Sequence, residues 1–231
     1  MTERICYLAG KSQGLQYAAK KLQETGWIFC DRPEDGTHFL LDVPHKDWDG
    51  LPALWDGVTV IGGNLSRPEL IGCNRIDLLE DPLYLAENAN ITAHCAVKLA
   101  LAQLPVILEG CPVLVIGWGR IGKCLARLLR QMGASVCVSA RKETDRAMLS
   151  ALGYHTDFSV FVPMVVFNTA PAPVAKAEDF PQDCLKIELA SSPGILGEGI
   201  IDGRRLPGRY APGSSGELIA RSILRRLPGG D

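Results

Sequence analysis

The sequence has few histidines, few aromatic residues and no long uninterrupted hydrophobic run. Its four histidines and eight cysteines show no spacing typical of metal ligands, and no cysteine pair is spaced C-x-x-C. We therefore expect neither a metal site nor a redox dithiol. The lack of an apolar run of about 20 residues predicts no membrane span, and the short apolar run near the start predicts no signal peptide. A net charge of −2 predicts no surface for nucleic acid or anionic lipid.

The residues that are abundant indicate a globular protein with a large core. Of the 231 residues, 47% are hydrophobic, which suits one large domain or two small ones. Most of the cysteines lie within apolar runs, as Cys137 does in "SVCVS". This pattern favours reduced, buried thiols and a cytoplasmic location.

Strand-like and helical segments alternate along the chain, which predicts an α/β fold with two Rossmann-like parallel-sheet domains. The expected strands are 4–10, 27–30, 38–44, 57–63, 112–116, 135–139, 164–168, 184–190 and 208–211. The expected helices are 15–26, 67–73, 87–105, 120–132, 144–152 and 215–227, and the pattern breaks at 75–81. Thr92 is the expected N-cap of the helix that ends at Pro105 and bridges the domains. We expect residues 1–88 plus 208–231 to form a smaller substrate domain and 89–207 a dinucleotide-binding domain.

The segment "PVLVIGWGRIGKCLARLLRQMG", residues 112–133, reads as a strand, a glycine turn and a helix. Its turn fits G-x-G-x-x-G, a pattern in which glycines allow a tight turn, close approach of a pyrophosphate and close helix packing. The six residues expected to bind a dinucleotide are Gly117, Trp118, Gly119, Arg120, Ile121 and Gly122. The alternative is a turn that needs glycine for packing alone.

The end of the next strand indicates which dinucleotide is preferred. An NAD site usually has an acidic residue there, whereas this sequence has Ser139 and Ala140 followed by Arg141 and Lys142. Arginine binds a 2′-phosphate that a carboxylate would repel. We therefore expect NADP as the cofactor, with NAD as the alternative if these cations, close to Glu143, only begin a solvated helix.

Polar residues at later strand ends are candidates for the nicotinamide side of the site, because ligands bind at the carboxyl ends of parallel strands. They are Asn168 and Thr169 in "FNTAPA" and Ala190 and Ser191 in "LASSPG". Ordinary turn chemistry is the alternative. Ser214 is a further candidate, although Ser214-x-x-Glu217 also fits a helix capping box.

The catalytic residues are harder to identify. His94, Asn64 and Glu87 are candidates for the cleft, and each is also explained as a packed or solvated residue. Arg67 and Arg209, together with Ser214, are candidates for binding a substrate carboxylate. A 2-hydroxy acid dehydrogenase is disfavoured, since no histidine follows His155.

Four stretches resemble the family formed by the A subunit of dipicolinate synthase, in the family's order and over roughly residues 87–225. They are "ENANITAHCAVKLAL", "VLVIGWGRIGKCLARLL…GASVCVSAR", "FNTAPA" and "IELASSPG…LPGRYAPGSSGELIA". The strand-end motifs are more specific than the glycine turn. The N-terminal half is shorter than in the family members.

The resemblance implies two Rossmann-like domains and oxidation of a dihydrodipicolinate-type precursor to dipicolinate during sporulation. It also implies a small dicarboxylate substrate between the domains and, as a partner, a flavoprotein-like B subunit. We further expect a homo-oligomer. Residues 211–216 lack a lysine that the family often has, which keeps a second hypothesis open, a non-catalytic subunit that binds NAD(P) as a sensor or scaffold.

Overall fold

The computed structural model describes residues 3–227, which form two compact units. The first unit contains the residues up to Asn88 and those from Pro207 onward, and the second is Ala89–Leu206. Along the chain the elements are β1 (Ile5–Leu8), α1 (Gln13–Gln23), β2 (Ile28–Cys30), β3 (His38–Leu40), β4 (Thr59–Gly62), β5 (Asn74–Asp77), α2 (Pro82–Leu101), β6 (Pro112–Ile116), α3 (Arg120–Gln131), β7 (Ser135–Ser139), α4 (Glu143–Ala151), β8 (Val165–Asn168), β9 (Ala175–Lys176), β10 (Leu185–Glu188), β11 (Ile195–Leu196), β12 (Ile200–Asp202), α5 (Leu206–Tyr210) and α6 (Pro212–Arg226). Among residues 3–227, no helix combines the length and hydropathy of a membrane span.

Each unit has a five-stranded parallel sheet, and the strand order is the same in both. The order is β2-β1-β3-β4-β5 in the first unit and β7-β6-β8-β10-β12 in the second. In each sheet the first strand lies between the second and the third, so the chain direction across the sheet reverses there. Such a reversal opens a crevice at the carboxyl ends of the two strands between which it occurs, β1 and β3 in the first sheet and β6 and β8 in the second. The expected α/β class with two parallel sheets is confirmed.

In the second unit, the sequence of α3 explains its position beside the sheet. Gly122, Leu125, Ala126 and Leu129 are buried at helical spacing and face the core. β6 is apolar throughout and pairs with β7 on one side and β8 on the other. The glycine turn between β6 and α3 therefore lies at the crevice of the second sheet.

Loops and two short strands, not long helices, cover part of the second sheet. Leu114 and Val166 pack with Phe161, Phe180 and Ile195 in one apolar cluster. Ile195 belongs to the two-stranded pair of β9 and β11. The sequence analysis missed these two short strands and also β12, because each has only two or three residues and no alternating pattern.

The helix expected at 87–105 begins earlier and ends earlier, at Pro82 and Leu101. The side chain of Asp81 accepts hydrogen bonds from the backbone N–H groups of Leu83 and Tyr84, which caps the helix at its true start. Thr92 is buried within α2. The prediction that Thr92 is the N-cap is therefore wrong.

Two expectations near the C-terminus are also wrong. Residues 208–211 are not a strand, because Leu206–Tyr210 form α5 and the N–H of Ala211 donates to the carbonyl of Pro207 in helical geometry. The helix expected at 215–227 begins at Pro212 with Ala211 as its N-cap, so Ser214 lies inside the first turn and the alternative of a capping box at Ser214 does not hold.

Candidate functional site

The three glycines of the turn differ in whether the fold itself requires glycine at that position. Gly117 has φ +103°, and a Cβ there would lie 2.5 Å from Thr169 Oγ1. A Cβ on Gly122 would overlap the carbonyl of Gly117. Gly119 has φ −79°, and a Cβ there would have no neighbour within 4 Å. The fold requires the first and third glycines, whereas the second faces open space.

The N-terminus of α3 directly follows the second glycine of the turn. Gly119 is its N-cap, no side chain caps the first N–H groups, and the first turn contains no acidic residue. These amides and the positive end of the helix dipole are thus available to an anion. The first unit differs, because Asp42 accepts hydrogen bonds from the N–H groups of Lys11 and Ser12 at 3.1 Å each.

A cavity of about 950 Å³ opens beside the glycine turn within the second unit. Its volume is in the range of pockets that enclose a cofactor-sized molecule. At or near the carboxyl ends of β6, β7 and β8 it is lined by segments 114–119, 139–145 and 169–175, and the rest of its lining is segments 158–163 and 179–181, which precede β8 and β10. The open space beside Gly119 and the first amides of α3 is therefore part of a pocket large enough for much of a dinucleotide.

The end of β7 is held in place and carries two cations. The N–H of Gly117 donates to the carbonyl of Ser139 at 2.8 Å. The guanidinium of Arg146 donates to the carbonyls of Ala140 and Arg141, at 3.2 and 2.7 Å. Arg141 and Lys142 line the cavity. Sequence reasoning missed Arg146, whose only signal is its place on the helix that follows the predicted turn.

Aromatic and apolar side chains form another part of the cavity wall. Trp118 packs edge-on against Tyr154, with ring centroids 5.7 Å apart, and Lys123 Nζ lies 5.8 Å from the Trp118 ring centre. Phe158 and Val162 line the cavity although they are 54% and 71% exposed. Exposed apolar groups beside a cavity are typical of a surface that a flat ring would cover.

The loops after β8 and β10 contain polar contacts that the sequence only partly indicated. Thr169 Oγ1 donates to the carbonyl of Ile116 at 2.9 Å and lines the cavity. Asn168 is fully buried, and its amide binds the carboxylate of Glu188 and the backbone of Ala170. Asn168 therefore shapes the wall of the cavity and does not line it. Glu188 was missed, because an acid at the end of an apolar strand has no motif of its own.

The other residues predicted for the cofactor do not line the cavity. Arg120 is exposed and Ile121 half-buried in the first turn of α3. Ala190 is buried and Ser191 is exposed in the loop after β10. Contact of these four residues with a dinucleotide stays a prediction.

The substrate and catalytic candidates are scattered within their own units. In the first unit, Arg67 lies 3.7 Å from Glu69 and stacks on Trp48, and Glu87 pairs with Arg221. The exposed candidates on loops and helices are Asn64, Arg209 and Ser214 in the first unit and His94 in the second. Within residues 3–227, no hydrogen bond or ion pair joins two of these candidates.

None of the residues that line the cavity is a cysteine. All eight are free. Burial raises the pKa of the Cys137 and Cys184 thiols to about 11, so both are thiols near neutral pH. Among residues 3–227, no group of three or more His, Cys, Asp or Glu side chains is arranged to hold a metal ion.

Comparison with known proteins gives a consistent set of relatives. No family model matches the chain. A curated relative, the A subunit of dipicolinate synthase from Bacillus subtilis (strain 168), is 28% identical over 163 residues, which cover 61% of this chain and 53% of the relative. The resemblance to the A subunit of dipicolinate synthase is confirmed. The matched region spans only about half the length of that relative.

Solved structures show how far the fold extends. The crystal structure of the dipicolinate synthase A subunit from Bacillus halodurans has a TM-score of 0.81 at 20% identity and covers 99% of this chain and 98% of that one. A transhydrogenase from Sinorhizobium meliloti has a TM-score of 0.72 at 15% identity, with 96% and 93% covered. The chain thus shares the fold of these proteins, with two α/β units that are each built on a parallel sheet.

Proposed function

We propose that the second unit binds NADP and that the protein is an oxidoreductase of the dipicolinate synthase A type. The observation that carries the proposal is the open space over Gly119. Nothing in the fold requires glycine there, whereas a pyrophosphate over the N-terminus of α3 does. The adjoining cavity and the relatives support the same conclusion.

The residues of the second unit divide the work of holding this cofactor. The amides at the start of α3 would bind the pyrophosphate, and Arg141 with Lys142 would bind a 2′-phosphate. Trp118, Phe158 and Val162 would exclude water from the adenosine side. The nicotinamide ring supplies a hydride acceptor when bound.

The reaction we propose is oxidation of a dihydrodipicolinate-type precursor to dipicolinate; the relative's name gives dipicolinate as the product, and the precursor is what the resemblance implies. Its substrate is a small dicarboxylate. The partners we propose are a second copy of the chain and a flavoprotein-like B subunit. The free cysteines favour a cytoplasmic location. A sporulation role follows only from the resemblance.

The decisive variant is Gly119→Ala. It introduces a methyl group where the protein has room, so stability should change little, while the pyrophosphate loses its close approach. We expect the Kd for NADP to rise about tenfold or more, measured by titration calorimetry, with Tm nearly unchanged. Gly208→Ala is the matched control, because a Cβ there also meets nothing within 4 Å. Unchanged NADP affinity in Gly119→Ala would contradict the proposal.

A second candidate is a non-catalytic NAD(P)-binding subunit. The scattered substrate candidates and the absence of lysine from 211–216 favour it. Turnover distinguishes the two, followed as NADPH and dipicolinate absorbance with the dihydrodipicolinate precursor, with and without a candidate second subunit. Tight NADP binding without turnover under every condition would select the non-catalytic subunit.

A further inference from the structure

Glu188 lies at the end of β10 and is buried, with only 4% of its surface exposed. Its register partner in β8 is Asn168, which is fully buried. Its hydrogen-bond partners are the neutral amide groups of Asn168, Ala190, Gly194 and Ile195. A buried carboxylate is costly unless hydrogen bonds replace the lost water, and this one is bonded at both oxygens.

The carboxylate of Glu188 accepts hydrogen bonds from the end of β8 and from the segment that follows β10. Oε1 accepts from Asn168 Nδ2 at 2.8 Å and from the N–H of Ala190 at 2.9 Å. Oε2 accepts from Asn168 Nδ2 at 2.9 Å and from the N–H groups of Gly194 and Ile195, at 2.8 and 3.1 Å. All five of these hydrogen bonds are donated by N–H groups and accepted by the carboxylate oxygens.

Asn168 connects Glu188 to the backbone of Ala170, in the wall of the cavity. Its Nδ2 donates to the carbonyl of Ala170, and its Oδ1 accepts from the N–H of Ala170, both at 3.0 Å. A Cβ on Gly194 would lie 2.7 and 2.8 Å from the carbonyls of Ala170 and Ala172, so the two loops are in direct contact. Ala170 and Ala172 line the cavity.

We infer that Glu188 is a positioning residue that holds the nicotinamide half of the dinucleotide site. The inference rests on the proposed function. In the second sheet, β8 and β10 lie on the opposite side of β6 from β7. If the adenosine lies over β7, where Arg141 is, the other half of the dinucleotide lies over the loops that Glu188 holds together.

The test is Glu188→Gln, which keeps the size but offers an NH2 group to at least one backbone N–H. The Kd of NADP should rise about tenfold, while the Kd of adenosine 2′,5′-bisphosphate, which represents only the adenosine half, stays within about twofold. Glu198→Gln, an exposed position in the same unit, is the matched control and should change neither.

Hydrogen exchange on the ligand-free protein gives a second readout. The amides of Ala190, Gly194 and Ile195 should exchange faster in Glu188→Gln, while that of Val138 in β7 should not. If Glu188→Gln does not fold, Glu188→Asp keeps both oxygens one methylene further back and should show the same selective loss at a smaller size.

The outcomes separate the two claims. Equal loss of affinity for NADP and the bisphosphate, or no loss of either, would overturn the positioning role of Glu188 while leaving NADP binding in place. If the unchanged chain does not bind NADP, the proposed function itself is overturned.

Discussion

Arg141 and Lys142 are the two cations at the end of β7 that line the cavity. No acid follows β7 directly, but Asp145 also lines the cavity. A 2′-phosphate would form charge-assisted hydrogen bonds with the Arg141 guanidinium that a 2′-hydroxyl cannot replace. We therefore expect a preference for NADP over NAD to depend on Arg141 and Lys142.

Replacement of Arg141 by alanine should raise the Kd of NADPH about tenfold or more and change the Kd of NADH by less than about threefold. Fluorescence or calorimetric titration of both cofactors would measure the difference. Arg127→Ala, an exposed arginine of α3 bonded to Gln131, serves as the control. Equal losses for NADPH and NADH would argue against recognition of the 2′-phosphate by Arg141.

Asp81 links a helix cap to an ion pair. Burial alone would raise the pKa of this carboxyl, but the hydrogen bonds from Arg225, at 2.6 Å, and from the amides of Leu83 and Tyr84 lower the pKa below its usual value. A carboxyl with a lowered folded-state pKa contributes its full stability above the unfolded-state pKa. That contribution is lost as pH falls through the folded-state pKa.

Asp81→Asn should therefore lower the free energy of unfolding by about 1–2 kcal/mol at pH 7, because the amide still caps α2 but cannot pair with Arg225. The difference from the unchanged protein should shrink as pH falls below about 4, the usual pKa of an aspartate in the unfolded chain, and should be lost once pH is below the lowered folded-state pKa of Asp81. Urea unfolding at several pH values measures this, with exposed Asp49→Asn as control. A difference that is constant with pH would refute the ion-pair explanation.

At the scale of elements, α1 and α6 of the first unit approach closely through small residues. A Cβ on Gly216 would lie 2.5 Å from the carbonyl oxygen of Gly14 and 2.8 Å from the N of Ala18. Glycine usually weakens a helix interior relative to alanine. Here the contact between the helices outweighs that preference, because no side chain fits between the backbones.

Gly216→Ala should accordingly destabilise the protein by about 1–3 kcal/mol, despite the better helix propensity of alanine. Gly213→Ala in the same helix should be neutral or slightly stabilising, since the nearest atom to its Cβ would be Tyr17 Cε1 at 4.0 Å. Chemical denaturation of both variants measures the contrast. A Gly216→Ala variant as stable as Gly213→Ala would show that the helices can move apart at little cost.

At the scale of the whole molecule, two sheets of the same strand order differ in their first strand-to-helix turn. In the second unit the amides at the start of α3 have no side-chain partner. In the first unit the amides of Lys11 and Ser12 already bind Asp42, and Ser12 Oγ caps α1 by accepting from Leu15 N. In the first unit the carboxylate of Asp42 thus binds the turn where a phosphate would bind in the second unit.

The chain should bind one dinucleotide, not two. Calorimetric titration with NADPH should give a stoichiometry close to one per chain, and Gly119→Ala should reduce the affinity of that single site. Two sites of comparable affinity would show that the first unit binds a dinucleotide despite Asp42.

The elements with strong local signals agree most closely with the structure. β6 and β7 have the expected bounds, and the glycine turn lies between β6 and α3 as expected. Errors arose where the deciding contact is distant or the signal is a single residue. The cap at Asp81 was not recognised, and residues 208–211 were taken for a strand although they lie in a short helix.

The sequence by itself determined the alternation of strands and helices and the position of the glycine turn, because these follow from residue periodicity and from glycine's conformational freedom. Only the tertiary structure decided which glycine faces open space, where the cavity lies, and that Glu188 joins two loops. These features depend on contacts between residues far apart in the chain. Parallel strands bring such residues together only after the sheet has formed, so no local pattern records them.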